Sequence, residues 1–231
     1  TKSVLGSLEG LDVKTAEFKV VVVGNENSGK TSTILNICGV KQSFDGRHLR
    51  THGVAEYNAY WPVRLRRGGE PIIVRLRIWD KGLWLVSDKR LRDTVSKTNN
   101  QLKRQQAALA DAALYTCSAT DARSFEEVRK MIQLNSEPSP MPNCRLVVMT
   151  RMDQWGQRAV SMRELLSLES DFSVRTFGIA NVANTESHMK TDSRDVLNWL
   201  CCNLLRLQEK GSLPAFSQAS DRGPIRKTRF M

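Results

Sequence analysis

The segment from Gly24 to Thr31 combines glycine, lysine and threonine at a spacing that suits phosphate binding. It fits the pattern of a glycine, four variable residues and then Gly-Lys-Thr. Glycines let the backbone curl so that successive N–H groups converge on one anion, and a helix starting there adds its positive end. The residues predicted to bind phosphate are therefore Glu26, Asn27, Ser28, Gly29, Lys30, Thr31 and Ser32.

An aspartate at the end of a predicted strand is a candidate metal ligand. The strand Pro71–Asp80 is expected beside the phosphate segment, where its last carboxylate and the hydroxyl of Thr31 can hold magnesium. Gly82 follows, and its backbone N–H can reach the terminal phosphate of a nucleotide. Taken alone, Asp80 is also compatible with a simple turn residue.

Asp153 is a third candidate, because it follows the apolar run Leu146–Met149. A carboxylate in this place can accept hydrogen bonds from the two N–H donors on the edge of guanine. Adenine does not offer that pair, so a buried acceptor would reject ATP. The pattern favours GTP and GDP with Mg²⁺ as the ligands, and a plain strand-end turn is the alternative.

Short β-branched runs alternate with helical patterns, which is typical of an α/β domain with a mostly parallel central sheet flanked by helices. The predicted strands are Phe18–Val23, Val54–Leu65, Pro71–Asp80, Ala112–Ser118, Cys144–Thr150 and Val174–Ile179. One predicted helix starts at the phosphate segment and runs through Thr33–Cys38. The other predicted helices are Asp93–Ala110, Ser124–Leu134, Ser161–Leu168 and Asp192–Gln208.

The 231 residues carry a formal net charge of +11, with basic residues gathered at 64–67, 89–104 and 222–229. Such charge suits either a solvated surface or an acidic partner, including an anionic membrane. Nucleic acid is disfavoured, because the basic residues do not interleave with aromatic ones in a recognisable module. An odd number of cysteines, five, without zinc-ligand spacing predicts a reduced, cytoplasmic protein without a structural metal.

Taken in this order, the segments resemble those of the small GTPases, which have a P-loop NTPase fold. The stretch from Asp121 to Glu127 is similar to the Rab-type sequence S-x-T-D-x-x-S-F-E, and 51–54 resembles the switch I segment. The resemblance implies that Thr51 contacts magnesium and the γ-phosphate in the GTP state. The implied metal ligands are Thr31, Thr51 and Asp80. The implied guanine-binding residues are Thr150, Arg151 and Asp153, with 179–181 as a candidate for the last base-contacting loop.

A narrower resemblance is to the atypical Rab-like GTPase of the ciliogenesis and planar-polarity effector complex. It rests on Thr51–Arg64 with its Trp61-Pro62 pair, on the shortened Trp79-Asp80-Lys81-Gly82, and on Asp153-Gln154. The resemblance implies a subunit that works with the Inturned and Fuzzy proteins at the ciliary basal body. We expect an N-terminal extension at 1–16, a G domain at 17–210 and a disordered basic tail at 211–231.

Departures from the small-GTPase pattern bear on activity. Leu83 stands where the family has the glutamine that orients the attacking water, so no catalytic residue is assigned and hydrolysis should be slow or partner-dependent. Glu26 is expected near the γ-phosphate, where its carboxylate can crowd or repel. Arg151 and Thr150 replace the usual lysine and asparagine, which implies weaker guanine binding, while Asp153 preserves selectivity.

Three functions remain open from the sequence. The leading hypothesis is a GTP-binding switch subunit in cilium assembly and intracellular transport. The alternative is a pseudo-GTPase scaffold subunit that keeps GTP as a structural ligand, which Leu83 and Glu26 favour. The third is an ATP-dependent phosphotransferase that uses the same loop.

Overall fold

The computed structural model describes residues 14–40, 54–65, 69–81, 110–134, 142, 144–181 and 193–211. Several predictions fall outside these ranges. They are the N-terminal extension as far as residue 13, residues 66–67 of the basic segment 64–67, the roles of Thr51, Gly82 and Leu83, the helix at 93–110 except its last residue, the basic segment 89–104, and the tail after Gly211.

A six-stranded mixed sheet, mostly parallel, forms the centre of the fold, as predicted. Its strands are β1 (Thr15–Gly24), β2 (Val54–Val63), β3 (Ile72–Lys81), β4 (Ala112–Ser118), β5 (Cys144–Thr150) and β6 (Arg175–Gly178). Their order across the sheet is β2-β3-β1-β4-β5-β6. β2 and β3 pair antiparallel, and the other pairs are parallel. The phosphate segment therefore leaves the sheet from a central strand.

In the part of the chain that the structure describes, four helices flank the sheet: α1 (Lys30–Ile37), α2 (Ala122–Leu134), α3 (Met162–Phe172) and α4 (Ser193–Glu209). A short 3₁₀ turn, Trp155–Gln157, lies between β5 and α3. Ser161 starts α3 as a capping box, because its hydroxyl accepts from the backbone N–H of Glu164 while the Glu164 carboxylate accepts from the backbone N–H of Ser161. Among the described residues no helix is both long and apolar enough to cross a bilayer.

The element boundaries differ from the sequence predictions by a few residues. β1 begins at Thr15, within the predicted extension at 1–16, because Ala16 is buried and pairs with β3. α3 continues to Phe172 rather than ending at Leu168, and Ser173 then ends it in the left-handed conformation. Both differences are at element ends, where a local pattern carries little information about tertiary burial.

Alternate residues of the central strands face two separate hydrophobic layers. Val20 and Val22 of β1 pack in the layer that contains α1 and α4, whereas Val21 packs in the layer that contains α2 and α3. Leu114 and Tyr115 of β4 divide in the same way. Burial on both faces fixes the register of each strand, since a slip of one residue would exchange the two layers. The register thereby fixes the positions of the carboxyl ends of β1, β3, β4 and β5 relative to one another.

Candidate phosphate and base site

The phosphate segment lies between three strand ends whose register is given by the sheet. In β1, Val22 is paired with Asp80 of β3, and Gly24 is paired with Thr116 of β4. The chain then turns through residues 25–29 and enters α1 at Lys30. The predicted strand–loop–helix arrangement is thus confirmed. It brings the end of β3, with Asp80, beside the loop, as the sequence predicted.

Two glycines allow the loop to take this path. A Cβ atom at Gly24 would lie 2.4 Å from both the carbonyl oxygen and the Oγ1 of Thr116. Gly29 has φ of +90°, and a Cβ there would lie 2.9 Å from the Cγ2 of Thr150. A side chain at either position would therefore displace the loop from the strands behind it, and at Gly29 it would also be strained.

The Lys30 side chain folds back over the loop. Its ammonium donates hydrogen bonds to the carbonyl oxygens of Gly24, at 2.9 Å, and Asn25, at 2.6 Å. Burial lowers the pKa of Lys30 below its usual value, whereas the nearby charges of Asp80 and Glu26 raise it. An ammonium has three N–H donors, so Lys30 can donate to both carbonyls and to an anion in the loop at the same time.

Thr31 and Asp80 bring two oxygen ligands together at the start of α1. The Thr31 hydroxyl donates to the Oδ2 of Asp80 at 2.5 Å, and Asp80 has no exposed surface. A hydroxyl and a carboxylate are the kind of oxygen ligands that Mg²⁺ accepts, with its remaining positions filled by water and phosphate. Within the described ranges no three His, Cys, Asp or Glu side chains cluster around a possible metal position. The Thr31–Asp80 pair is therefore the best candidate for a metal site in this part of the chain.

Thr150 and Arg151 contact the phosphate loop, a role that the sequence did not indicate. The Thr150 hydroxyl lies 2.9 Å from the carbonyl oxygen of Ser28 and donates to it. The Arg151 guanidinium donates to the carbonyl oxygen of Asn27 and to the hydroxyl of Thr120, each at 3.2 Å. Arg151 reaches the loop from the left-handed conformation, with φ of +58°. Guanine contacts by these two residues remain a prediction.

The two segments predicted to contact the base lie side by side. Asp153 is half-buried in the turn after β5, and the preceding residue, Met152, donates its backbone N–H to the carbonyl of Ile179. Beyond Ile179, the Asn181 amide donates to the hydroxyl of Thr33 on α1 at 3.1 Å. Hydrogen bonds therefore connect the turn with Asp153 to the segment 179–181, and that segment to the helix that follows the loop.

A buried hydroxyl pair behind the loop was also missed by the sequence analysis. The Oγ of Ser28 lies 2.8 Å from the Oγ1 of Thr116, and both side chains are almost completely buried. Ser28 was predicted only as a phosphate-binding residue, and Thr116 matches no functional pattern. Only the register that pairs Gly24 with Thr116 brings them together.

The chain is similar to proteins named Ciliogenesis and planar polarity effector 2. It is 28% identical over 174 residues to the Xenopus tropicalis protein, covering 74% of this chain and 62% of that protein. Against the Xenopus laevis protein it is 28% identical over 186 residues, covering 80% of this chain and 68% of that protein. Against the human protein it is 22% identical over 175 residues, covering 76% and 63%. No family model matches the chain.

These similarities bear on only part of the resemblance inferred from the sequence. The link to the ciliogenesis and planar-polarity effector proteins is confirmed by relatives at 22–28% identity. The chain spans 62% of the length of the Xenopus tropicalis relative and 63% of the human one, which is less than two thirds in each case. The small-GTPase part of the resemblance stays a prediction.

Replacing Gly29 with alanine tests the geometry of the loop. The added Cβ combines a positive φ with contact to Thr150, so we expect the free energy of unfolding to fall by about 2–4 kcal/mol. Gly39→Ala is the matched control, because Gly39 has φ of +71° but no described residue within 4 Å of its added Cβ. The free energy of unfolding of Gly39→Ala should fall by only about 1–2 kcal/mol, because alanine is disfavoured at a positive φ. Equal losses in urea unfolding would contradict the close packing between Gly29 and Thr150.

Proposed function

We propose that the chain binds GTP and GDP with Mg²⁺ and acts as a guanine-nucleotide switch subunit of an effector complex in ciliogenesis and planar polarity. The observation that carries the proposal is the arrangement of Lys30, Thr31 and Asp80 around the glycine-bounded loop after β1. A cation, a hydroxyl and a carboxylate converge there at a helix N-terminus, and this combination suits a magnesium-bound polyphosphate.

The proposed phosphate contacts are made by the loop backbone and by Lys30. The loop carbonyls of Gly24 and Asn25 are bound by Lys30, and those of Asn27 and Ser28 are bound by Arg151 and Thr150. The C=O and N–H of a trans peptide point in opposite directions. Because Thr150 binds the Ser28 carbonyl, the N–H of Gly29 in the same peptide points away from Thr150, as a phosphate contact in the loop would require.

The proposed metal ligands are Thr31 and Asp80, together with Thr51. Thr31 and Asp80 already place two oxygens in contact. A magnesium ion would supply positive charge between the phosphates when bound. Asp80 is buried, so a cation at this point would offset the unfavourable burial of its carboxylate.

Selection of guanine is proposed to depend on Asp153. Asp153 is half-buried in the turn after β5, and the neighbouring Met152 is hydrogen-bonded to Ile179. Two carboxylate oxygens can accept from the N1–H and the exocyclic amine of guanine. Adenine would leave the acceptor unpaired, and this disfavours both ATP and the phosphotransferase alternative.

Hydrolysis is proposed to be slow without a partner. Leu83 cannot orient a water molecule, and the negative charge of Glu26 is close enough to Lys30 to raise its pKa. A γ-phosphate would have to share that ammonium with Glu26. Glu26 therefore favours the scaffold alternative, in which bound nucleotide is structural and turnover is negligible.

The setting of the switch is proposed from the relatives. Their name assigns them to ciliogenesis and planar polarity as effectors. By resemblance, the partners are the Inturned and Fuzzy proteins, and the location is the cytoplasm at the ciliary basal body. By their charge, the basic segments at 64–67 and 89–104 are proposed to contact an acidic protein face or an anionic membrane.

Substituting Asp153 with asparagine tests base selection. An amide offers one acceptor and one donor, which suits the N1–H and C2 carbonyl of xanthine rather than the two donors of guanine. We expect GDP affinity to fall at least about a hundredfold and xanthosine diphosphate to bind more tightly than GDP. Competition binding against a fluorescent nucleotide measures both. Asp171 is an exposed carboxylate on α3, and the control variant Asp171→Asn should leave the preference for GDP unchanged.

An unaltered preference for GDP in the Asp153→Asn protein would remove guanine recognition from Asp153. Retention of ATP in place of GTP by the unmodified protein would favour the phosphotransferase.

Single-turnover hydrolysis separates the switch from the scaffold. We expect phosphate release from bound GTP to be slow for the chain alone and to rise at least about tenfold when Inturned and Fuzzy are added, because partners would supply missing catalytic groups. Phosphate release that stays at the unassisted rate in the assembled complex would rule out the switch and support permanent GTP binding.

A further inference from the structure

Thr116 lies beneath the phosphate loop and contacts both ends of it. It belongs to β4, is paired in register with Gly24, and has no exposed surface. Its Oγ1 is 2.8 Å from the Oγ of Ser28, near the end of the loop, and 3.4 Å from the carbonyl oxygen of Val23, just before the loop begins. One buried hydroxyl therefore connects the entry of the loop to its exit.

The hydrogens of these hydroxyl groups can be assigned by counting donors. Each hydroxyl has a single hydrogen. Thr116 donates to the carbonyl of Val23, so the hydrogen between the two hydroxyls must come from Ser28. The resulting chain runs from Ser28 to Thr116 and on to Val23, and it satisfies both buried hydroxyls.

The backbone of Ser28 makes a second hydrogen bond to the sheet. Its carbonyl oxygen accepts from the Thr150 hydroxyl on β5 at 2.9 Å, while its side chain donates to Thr116 on β4. Two adjacent strands thus fix both the side chain and the peptide plane of one loop residue. The N–H of Gly29 belongs to that same peptide, and it points away from Thr150 because the plane is rigid.

We propose that Thr116, acting through Ser28, is a positioning residue for nucleotide binding: its hydroxyl holds the phosphate loop in the binding conformation from the side opposite to the ligand. This inference rests on the proposed function, since it concerns the affinity of the same loop for nucleotide. Thr116 itself would touch no nucleotide, because it is fully buried in the structure.

The substitution Thr116→Val keeps the shape of the side chain and removes its hydroxyl, whereas Thr116→Ser keeps the hydroxyl. We expect Thr116→Val to release a fluorescent GDP analogue about tenfold faster and to weaken its equilibrium affinity by a similar factor, because Ser28 is left without its acceptor. Thr116→Ser should stay within about twofold of the unmodified protein.

Coupling between Thr116 and Ser28 is measured with a double-mutant cycle. Ser28→Ala alone should also weaken binding, but no more than Thr116→Val, because Thr116 loses the hydrogen bond from Ser28 and still donates to Val23. The double variant should bind no more weakly than the weaker single variant, whereas independent residues would give additive losses. Urea unfolding of the nucleotide-free proteins separates this coupling from a general loss of stability.

Three outcomes would overturn the inference. If Thr116→Val unfolds at lower urea but its folded form binds GDP with unchanged affinity, the hydroxyl is structural only. If Thr116→Ser loses as much affinity as Thr116→Val, the hydroxyl is not responsible. If the unmodified protein binds no GDP at all, the proposed function and this inference fail together.

Discussion

The carbonyl groups of the loop between β1 and α1 are bound by side chains from the rest of the protein, and the site depends on that constraint. Lys30 donates hydrogen bonds to the carbonyl oxygens of Gly24 and Asn25. Arg151 donates to the carbonyl oxygen of Asn27, and Thr150 donates to that of Ser28. In the Ser28–Gly29 peptide the bound carbonyl turns the N–H of Gly29 away from Thr150, whereas the N–H of Ser28 donates to the carbonyl of Asn25 within the loop.

This arrangement is possible because of the sheet order. β1 is central, with β3 on one side and β4 followed by β5 on the other. The ends of β3, β4 and β5 therefore lie around the loop that leaves β1. β3 supplies Asp80, β4 supplies Thr116, and β5 leads into Thr150 and Arg151. In open α/β sheets, crevices at the carboxyl ends of the strands are where ligands bind. The hydrophobic layers on both faces keep these ends in register.

The parts of the site that could be predicted from the sequence are those defined by local pattern. The glycine-lysine loop, the strand before it and the helix after it are contiguous, so residues 24–31 were sufficient to place them. Asp80 could be placed because a carboxylate ending a β-branched run is itself a local signal. The mostly parallel sheet followed from alternating strand and helix patterns.

The contacts of Thr116, Thr150 and Arg151 could not be predicted, because they depend on distance in the fold rather than in the chain. Ser28 and Thr116 are 88 residues apart, and Thr150 and Ser28 are 122 apart. A threonine ending a buried strand has no distinctive signature, and only strand register shows that its hydroxyl faces the loop. For the same reason, Thr150 and Arg151 were predicted to contact the base and were not predicted to donate hydrogen bonds to the loop carbonyls.

The most direct measurement of the central claim is the nucleotide content of the purified protein, released by denaturation and identified by chromatography. The account predicts guanine nucleotide at close to one equivalent per chain, retained in the presence of Mg²⁺ and lost when Mg²⁺ is chelated. Adenine nucleotide at that level would contradict it. So would a protein that retains no guanine nucleotide even after incubation with GTP and Mg²⁺.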